Sequence, residues 1–183
     1  MRIVAGKLRH RSIKMTNLDT TRETQDRVRE SIFNMIGPYF DGGKALDLFA
    51  GSGAMAIEAY SRGITEIYLN DLHPLAIKTC RENCLNLQIT TAHFSNLDYQ
   101  IFLKNNKIPM DLIFLDPPYK MTNALEILEL VIPHLSQRGI VVFELGKDTE
   151  YPEYMGALKL IKNKLYGIKR VLIYDKGSEC FEL

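Results

Sequence analysis

An α/β protein with a mostly parallel sheet is predicted by three observations. Short apolar runs alternate with amphipathic stretches between residues 44 and 145, so that a helix follows nearly every strand and returns the chain to the same sheet edge. A glycine-rich turn at 50–53 separates one apolar run from an apolar helix. A second run, Asp111-Leu112-Ile113-Phe114-Leu115, stops abruptly at Asp116-Pro117-Pro118-Tyr119 and reads as a buried strand delivering polar groups to the edge of the sheet.

The elements follow in order. Residues 2–13 alternate weakly around Gly6-Lys7 and predict a short two-stranded arm; 14–22 form an irregular polar linker. From Thr24 the pattern is helical, with Val28, Ile32 and Met35-Ile36 on one face, Arg22, Arg27 and Arg29 assigned to the other, and Gly37-Pro38 as the stop. Lys44–Phe49 is a strand, the helix after the turn runs to about Ser61, and Glu66–Asn70 is the second strand. Pro74, a favoured early helical residue, opens the next helix. A strand near 89–92, a helix near 97–105, the 111–115 strand, a helix over 122–135 and a strand over 139–145 complete the alternation. Residues 157–163 and 169–175, with no helix between them, predict a closing antiparallel pair turning near Gly167. The division expected is a basic arm over 1–22 and one α/β domain over 23–183.

At 183 residues, 46% hydrophobic and 25% charged, the chain has the composition of an ordinary soluble globular protein, large enough to bury a core without disulfides or metal. No run approaches the length of a membrane span and the first residues lack an apolar signal core, so a cytoplasmic monomer without a membrane partner is expected. Cys80, Cys84 and Cys180 lack metal-ligand spacing and are read as reduced packing residues. The net charge of +1 conceals an asymmetry: through residue 40 there are eight Lys/Arg and four acids, and beyond it 15 against 18. The first 18 residues contain five Lys/Arg, His10 and no acid, a footprint for phosphates. Arg2, Lys7, Arg9, Arg11, Arg22, Arg27 and Arg29 are the candidate RNA-contacting residues.

The Asp-Pro-Pro-Tyr element suits a planar base that carries an amino group. Proline has no backbone donor, so beside the Asp116 carboxylate the peptide carbonyls of Pro117 and Pro118 only accept hydrogen bonds, and an exocyclic NH2 needs acceptors. Tyr119 offers a face on which a base can stack.

Phe49-Ala50-Gly51-Ser52-Gly53-Ala54 links strand to helix, where glycine allows positive φ and the helix start presents free N–H groups. Gly51, Gly53 and Ala56 satisfy GxGxxA and Asp71 lies 20 residues past Gly51, the place of a ribose-gripping acid in dinucleotide folds, so an NAD-dependent oxidoreductase is one reading. S-adenosylmethionine asks for the same features, with one acid for its amino group and another for its ribose. Asp47, Phe49, Gly51, Ser52, Gly53, Asp71, Leu72 and Asp98 form the candidate cofactor site, Asp98 serving either adenine or a helix cap.

Together, Asp47-Leu-Phe-Ala-Gly-Ser-Gly-Ala54 and Asp116–Tyr119 resemble the motifs of class I amino-directed methyltransferases. The arm Arg2–Lys7 and the block Arg22-x-Thr24-x-Asp26-Arg27-Val28-Arg29-Glu30-Ser31-Ile32-Phe33-Asn34 resemble, more specifically, the RsmD family of bacterial 16S rRNA guanine-N2 methyltransferases. The resemblance implies a Rossmann-like, seven-stranded sheet with one reversed strand, S-adenosylmethionine as cofactor, and 16S rRNA or the small ribosomal subunit as partner. It implies a target-base clamp at Asp116–Tyr119 and a cofactor site at Asp47, Gly51, Gly53 and Asp71. Glu23 departs from the family's usual proline. Amino methylation of adenine or cytosine and a nonenzymatic RNA-binding module are the other readings open at this point.

Overall fold

A computed structural model of the chain describes residues 1–16, 26–118, 121 and 123–177. The element order is α1 (Asp26–Ile36), β1 (Lys44–Asp47), α2 (Ala54–Ser61), β2 (Glu66–Asn70), α3 (Pro74–Asn86), β3 (Ala92–Ser95), α4 (Tyr99–Asn105), β4 (Met110–Leu115), α5 (Ala124–Val131), β5 (Leu135–Gly146), β6 (Tyr154–Met155), β7 (Leu158–Tyr166) and β8 (Lys169–Asp175). One sheet takes all the strands in the order β3-β2-β1-β4-β5-β8-β7-β6. The first five are parallel, β8 runs antiparallel to β5, and β7 antiparallel to β8. Seven full strands with β8 reversed match the predicted class; the two-residue β6, antiparallel to β7, is an addition at the edge.

Each face of the sheet buries its own core. Ile32 and Phe33 of α1, Ala56 and Ile57 of α2 and Cys80 and Cys84 of α3 pack with Leu69, Phe114 and Val142 on one side. On the other, Phe102, Leu103, Ile127, Leu128 and Val131 cover Leu46, Ile113, Val141, Phe143 and Leu172. Buried on both faces, β4 reads as the continuous apolar run its position requires.

Among the boundaries that differ from the sequence reading, two have a plain local cause. The third strand lies at Ala92–Ser95, not at 89–92, because α3 ends in a Schellman cap: Gln88 takes φ +58, its N–H bonds to Leu85 O, and the Ile89 N–H bonds to Cys84 O. Ile89 is thus a capping contact and not a strand residue. The helix expected over 122–135 is shorter, because Pro133 lies in a turn of 3-10 helix at Ile132–His134 that hands the chain to β5.

The arm is paired through a single bridge, Arg2 to Ser12, and is fastened to the domain. Ile3 and Ile13 are 2% and 5% exposed within the α1–α2–α3 core. The Lys7 N–H bonds to Ser61 O, and Gly6 has φ +83, where a Cβ would stand 1.9 Å from that oxygen; only glycine permits the approach. The Val4 and Ala5 N–H groups donate to the two carboxylate oxygens of Glu58, at 2.8 and 3.0 Å.

Glu58, fully buried, also pairs with Arg29 at 3.3 Å and with Arg62 at 2.8 Å. Arg29 is itself fully buried, bonded further to Asp26 and to Arg2 O, which corrects the expectation that it faces RNA. Removing one member of such a buried network strands the others without partners. Glu58→Ala is therefore expected to destabilise the fold by about 3–5 kcal/mol, measured by chemical denaturation, and to expose the Val4 and Ala5 amides to hydrogen exchange. Protection unchanged at those amides would contradict the role given to Glu58.

Candidate active site

The parallel arrangement brings the ends of β1, β2, β4 and β5 to one edge. Asp47 ends β1 and pairs in register with Leu69 and Phe114. Leu115 pairs with Phe143, so Asp116 and Glu144 leave adjacent strands side by side on the same face. Lys169 begins β8 opposite Gly146 and turns its side chain toward the strand-end acids of β4 and β5. Its Nζ lies 3.1 Å from Asp116 Oδ2 and 2.9 Å from Glu144 Oε2. Asp116, Pro117, Pro118, Asn123, Glu144 and Lys169 are among the walls of a cleft of about 480 Å³. The Pro118 carbonyl accepts from the Met121 N–H. Tyr119 and Arg22 lie outside the described residues.

The glycine turn follows β1, the strand beside β4, and Asp47 at its start is close enough to Asp116 and Glu144 to feel their charge. Gly51 and Gly53 have φ +54 and +80, and a Cβ on Gly53 would meet Leu69 Cδ2 at 2.7 Å, so the loop folds as it does only with glycine there. Asp71 holds the turn: its Oδ2 accepts from the Gly51 N–H and its Oδ1 from the His73 N–H. The buried Asn70 donates to Leu48 O and Leu97 O, tying two loops together, while its Oδ1 is buried with no hydrogen-bond partner among the described residues. Phe49 is half-buried against Tyr99, Ser52 is buried, and Leu72 is 69% exposed beside the turn. Asp98 caps α4, its carboxylate accepting from the Gln100 N–H, so the cap of the two sequence readings is the one seen.

Charge at this edge is strongly one-sided. Burial, then Asp116 and Asp71, push the Asp47 carboxyl up to about 8, against the lowering effect of a hydrogen bond from the Ala56 N–H at the start of α2. Burial and Glu144 push Asp116 up to about 7, opposed by Lys169. Burial acts to lower the Lys169 ammonium, but Glu144 and Asp116 outweigh it and raise its pKa. A cavity edge with four carboxylates held near one another, and a glycine turn beside them, fits a ligand with positive charge.

The basic residues divide between two edges. Lys7, Arg9 and Arg11 are exposed at the arm's turn, which sits on the C-terminal ends of α2 and α3, with Arg11 bonded to Asn86 O and Lys7 over the Tyr60 ring. Cations are favourable at helix C-termini, but this is the edge opposite Asp116, so these candidate RNA-contacting residues lie away from the Asp116 cleft. Arg2 and Arg27 are also exposed, Arg27 at the start of α1. A basic segment that the sequence reading passed over lies in the β7–β8 hairpin: residues 158–174 hold five Lys/Arg and no acid. Lys164 reaches Ser31 of α1, and Lys164, Lys159 and Arg170 lie over the rings of Tyr166, Tyr154 and Tyr151.

A sheet of this topology with a glycine turn after β1 and an acidic Asp-Pro-Pro element after β4 is that of the class I methyltransferases. The chain belongs to the Conserved hypothetical protein 95 family, the RsmD family of rRNA methyltransferases, which matches residues 1–175. It is 41% identical over 182 residues to YlbH of Bacillus subtilis, which carries a provisional rRNA methyltransferase name, covering 96% of this chain and 99% of that protein. It is 32% identical to Ribosomal RNA small subunit methyltransferase D of Haemophilus influenzae, covering 96% and 93%. The solved structure of Escherichia coli yhhF superposes with TM-score 0.86 at 27% identity, covering 98% of this chain and 99% of that one. The fold recurs in M. jannaschii TYW2 solved with AdoMet, TM-score 0.61, where 15% identity carries the fold alone. No helix among the described residues is long and apolar enough to cross a membrane.

The state of Asp47 makes ligand binding pH-dependent. Below about pH 8 the carboxyl holds its proton; a cation bound beside it favours the ionised form and expels that proton. Affinity for a cationic ligand bound beside Asp47 is therefore expected to rise with pH, by up to about tenfold per unit below pH 8, and to level off above it. Calorimetry in two buffers of different ionisation enthalpy reads the released proton, and a dissociation constant that stays level from pH 6 to 8 excludes this linkage.

Proposed function

We propose that this protein transfers a methyl group from S-adenosylmethionine to the exocyclic N2 amine of a guanine in small-subunit rRNA. The observation that carries the reading is the Asp116 carboxylate, standing at the mouth of a base-sized cleft next to an acid-rich glycine turn. The names of the relatives support rRNA as the substrate. Asp47 and Asp71 at the glycine turn are the residues for the amino group and ribose of the cofactor, which when bound supplies an electrophilic methyl on a sulfonium.

The chain's own part is alignment and charge. An aromatic amine is a weak nucleophile because its lone pair is delocalised into the ring. Accepting its N–H on the Asp116 carboxylate and on the Pro117 carbonyl favours a pyramidal nitrogen and stabilises the positive charge that develops there during attack. Lys169 helps this by holding Asp116 ionised and in place; the protonated acid would offer a donor where an acceptor is required. The Pro-Pro pair keeps the backbone from donating. A stacked base is out of reach, so the guanine enters from a loop or is flipped out, with Tyr119 as the aromatic platform. Arg2, Arg27, Lys162 and Lys164 are the residues for the RNA backbone near the cleft, while Lys7, Arg9 and Arg11 serve more distant phosphates.

Asp116→Ala is expected to slow transfer of labelled methyl to small-subunit rRNA at least about 100-fold with cofactor affinity nearly unchanged, and identification of the product as N2-methylguanosine settles the acceptor. Methyladenosine or methylcytidine in the digest would move the target to another base. Lys162→Ala with Lys164→Ala is expected to weaken RNA binding and reduce the slope of affinity against salt by roughly two phosphate contacts, more than Arg9→Ala with Arg11→Ala does. An equal slope in wild type and the Lys162/Lys164 variant removes the hairpin from the RNA surface.

A further inference from the structure

Taking a base out of an RNA stack breaks two sets of contacts: the base loses its neighbours, and the neighbours lose the base. Tyr119 is the platform for the first. The second leaves a gap one base thick, and an apolar side chain held firmly beside the cleft is the kind of group that fills it.

The tip of the β7–β8 hairpin presents such side chains. Tyr166 pairs with Lys169, so the turn consists of Gly167 and Ile168 alone, with glycine first at φ +59. A Cβ on Gly167 would meet nothing within 4 Å, so the tip stands clear of the domain. Ile168 is 54% exposed, and Leu165, in the second pair from the turn, 51%. Turn positions ordinarily go to Gly, Pro, Asn, Asp or Ser, so an isoleucine standing in water here serves neither the turn nor the core. The backbone beneath it is fixed: Ile168 O accepts from the Lys147 N–H at 2.9 Å, and Arg170 donates to Lys147 O at 3.2 and 3.3 Å. Lys147 follows Gly146 and Ile168 precedes Lys169, and both Gly146 and Lys169 wall the Asp116 cleft. The exposed apolar tip is thus held at the side of the cleft.

We infer that Ile168, with Leu165 next along the hairpin, is an apolar wedge that enters the RNA stack where the target base has left, and so acts as a positioning residue for that base. The surroundings of the tip decide between RNA and a protein partner. Patches that dock proteins are poor in charge at their centre. Here Ile161-Lys162-Asn163-Lys164-Leu165 interleaves apolar and cationic side chains, all five residues exposed, and Arg170 is the ladder partner of Leu165. A stack of nucleotides has that same alternation, with apolar base faces between phosphates, so cations take the backbone while the apolar tip takes the faces.

This inference rests on the methyltransferase reading of the cleft, and its test begins by mapping the methylated nucleotide in small-subunit RNA, naked or assembled, treated with the wild-type protein. If no nucleotide is methylated, the parent reading fails at this step and takes the wedge with it. Given a target, the same RNA is remade with an abasic residue in place of the base stacked on it, so that the stack is already open. Ile168→Ser is expected to lower kcat/KM on the intact RNA about 10- to 100-fold, the range for one isoleucine side chain that is no longer buried, and on the abasic RNA by less than about threefold. Ile168→Met, which keeps the apolar reach, is expected to recover most of the rate. No charge is lost, so the slope of RNA affinity against salt is expected to stay that of the wild type, and an unchanged thermal midpoint verifies that the variant is folded. Ile168→Ser acting on intact RNA at the wild-type rate would overturn the inference. So would an equal loss on the intact and abasic RNAs, because that is the signature of a displaced Lys169 or of a protein partner at the tip.

Discussion

Parallel pairing of β1, β2, β4 and β5 is the constraint from which the site follows. A right-handed helical crossover returns each strand to the same edge, so whatever residue ends a strand is placed beside the end residues of its neighbours. Here those residues are Asp47, Asn70-Asp71, Asp116 and Glu144, from four stretches spread over a hundred positions of chain. None of them packs the core; each follows an apolar run that does. The reversed β8 adds the counter-charge, because only an antiparallel strand starts at that edge, and its first residue is Lys169.

The far side of the molecule is organised around an equally buried acid. Glu58 takes two backbone N–H groups from the arm and two guanidinium groups, from Arg29 of α1 and Arg62 after α2. A single carboxylate thereby fixes the arm to two helices, with Ile3 and Ile13 supplying apolar burial beneath it. The arrangement fastens the arm's first residues to the domain although, among the described residues, a single strand bridge closes it, and it holds Lys7, Arg9 and Arg11 at the edge opposite Asp116.

What could be read from the sequence was whatever is local. Asp116 was legible because an apolar run stops at a carboxylate and a turn-former follows, and Asp47 because a glycine-rich turn begins a few residues beyond it. Glu144 obeys the same grammar after Ile140–Phe143, yet no turn-former follows it and β5 simply continues, so nothing marks it as a strand-end group. Lys169 is visible only through its Gly146 partner in the ladder, a long-range fact. Arg29 shows the opposite failure, since a signal was present: it falls in phase with Ile32, Phe33 and Ile36 at helical spacing, and that phase, not its charge, decided its burial. The third strand was misplaced because Gln88 adopts the left-handed cap conformation usually given to glycine. Nothing in the residue type announces that stop.

The two edges of charge divide the work of handling a polyanion. Four carboxyl groups face one lysine, so the pocket carries no surplus of positive charge and turns more negative as Asp116 and Asp47 ionise, which disfavours phosphate and admits a neutral base or a cation. In water-poor surroundings that repulsion is several times stronger than in bulk solvent. A nucleic acid can engage such a site only if its backbone is held elsewhere, and the exposed cations of α1 and of the β7–β8 hairpin are not among the residues that wall the cleft. On the proposed function, backbone and base are sorted by sign: phosphates would be kept at the lysines and arginines, and the one component of a nucleotide that carries no charge would be the one to pass inward. Raised carboxyl pKa values at Asp47 and Asp116 follow from the same imbalance. On the same proposal, the features that discourage phosphate are those that would make the pocket receptive to a positively charged methyl donor, so a single electrostatic condition would serve both substrates.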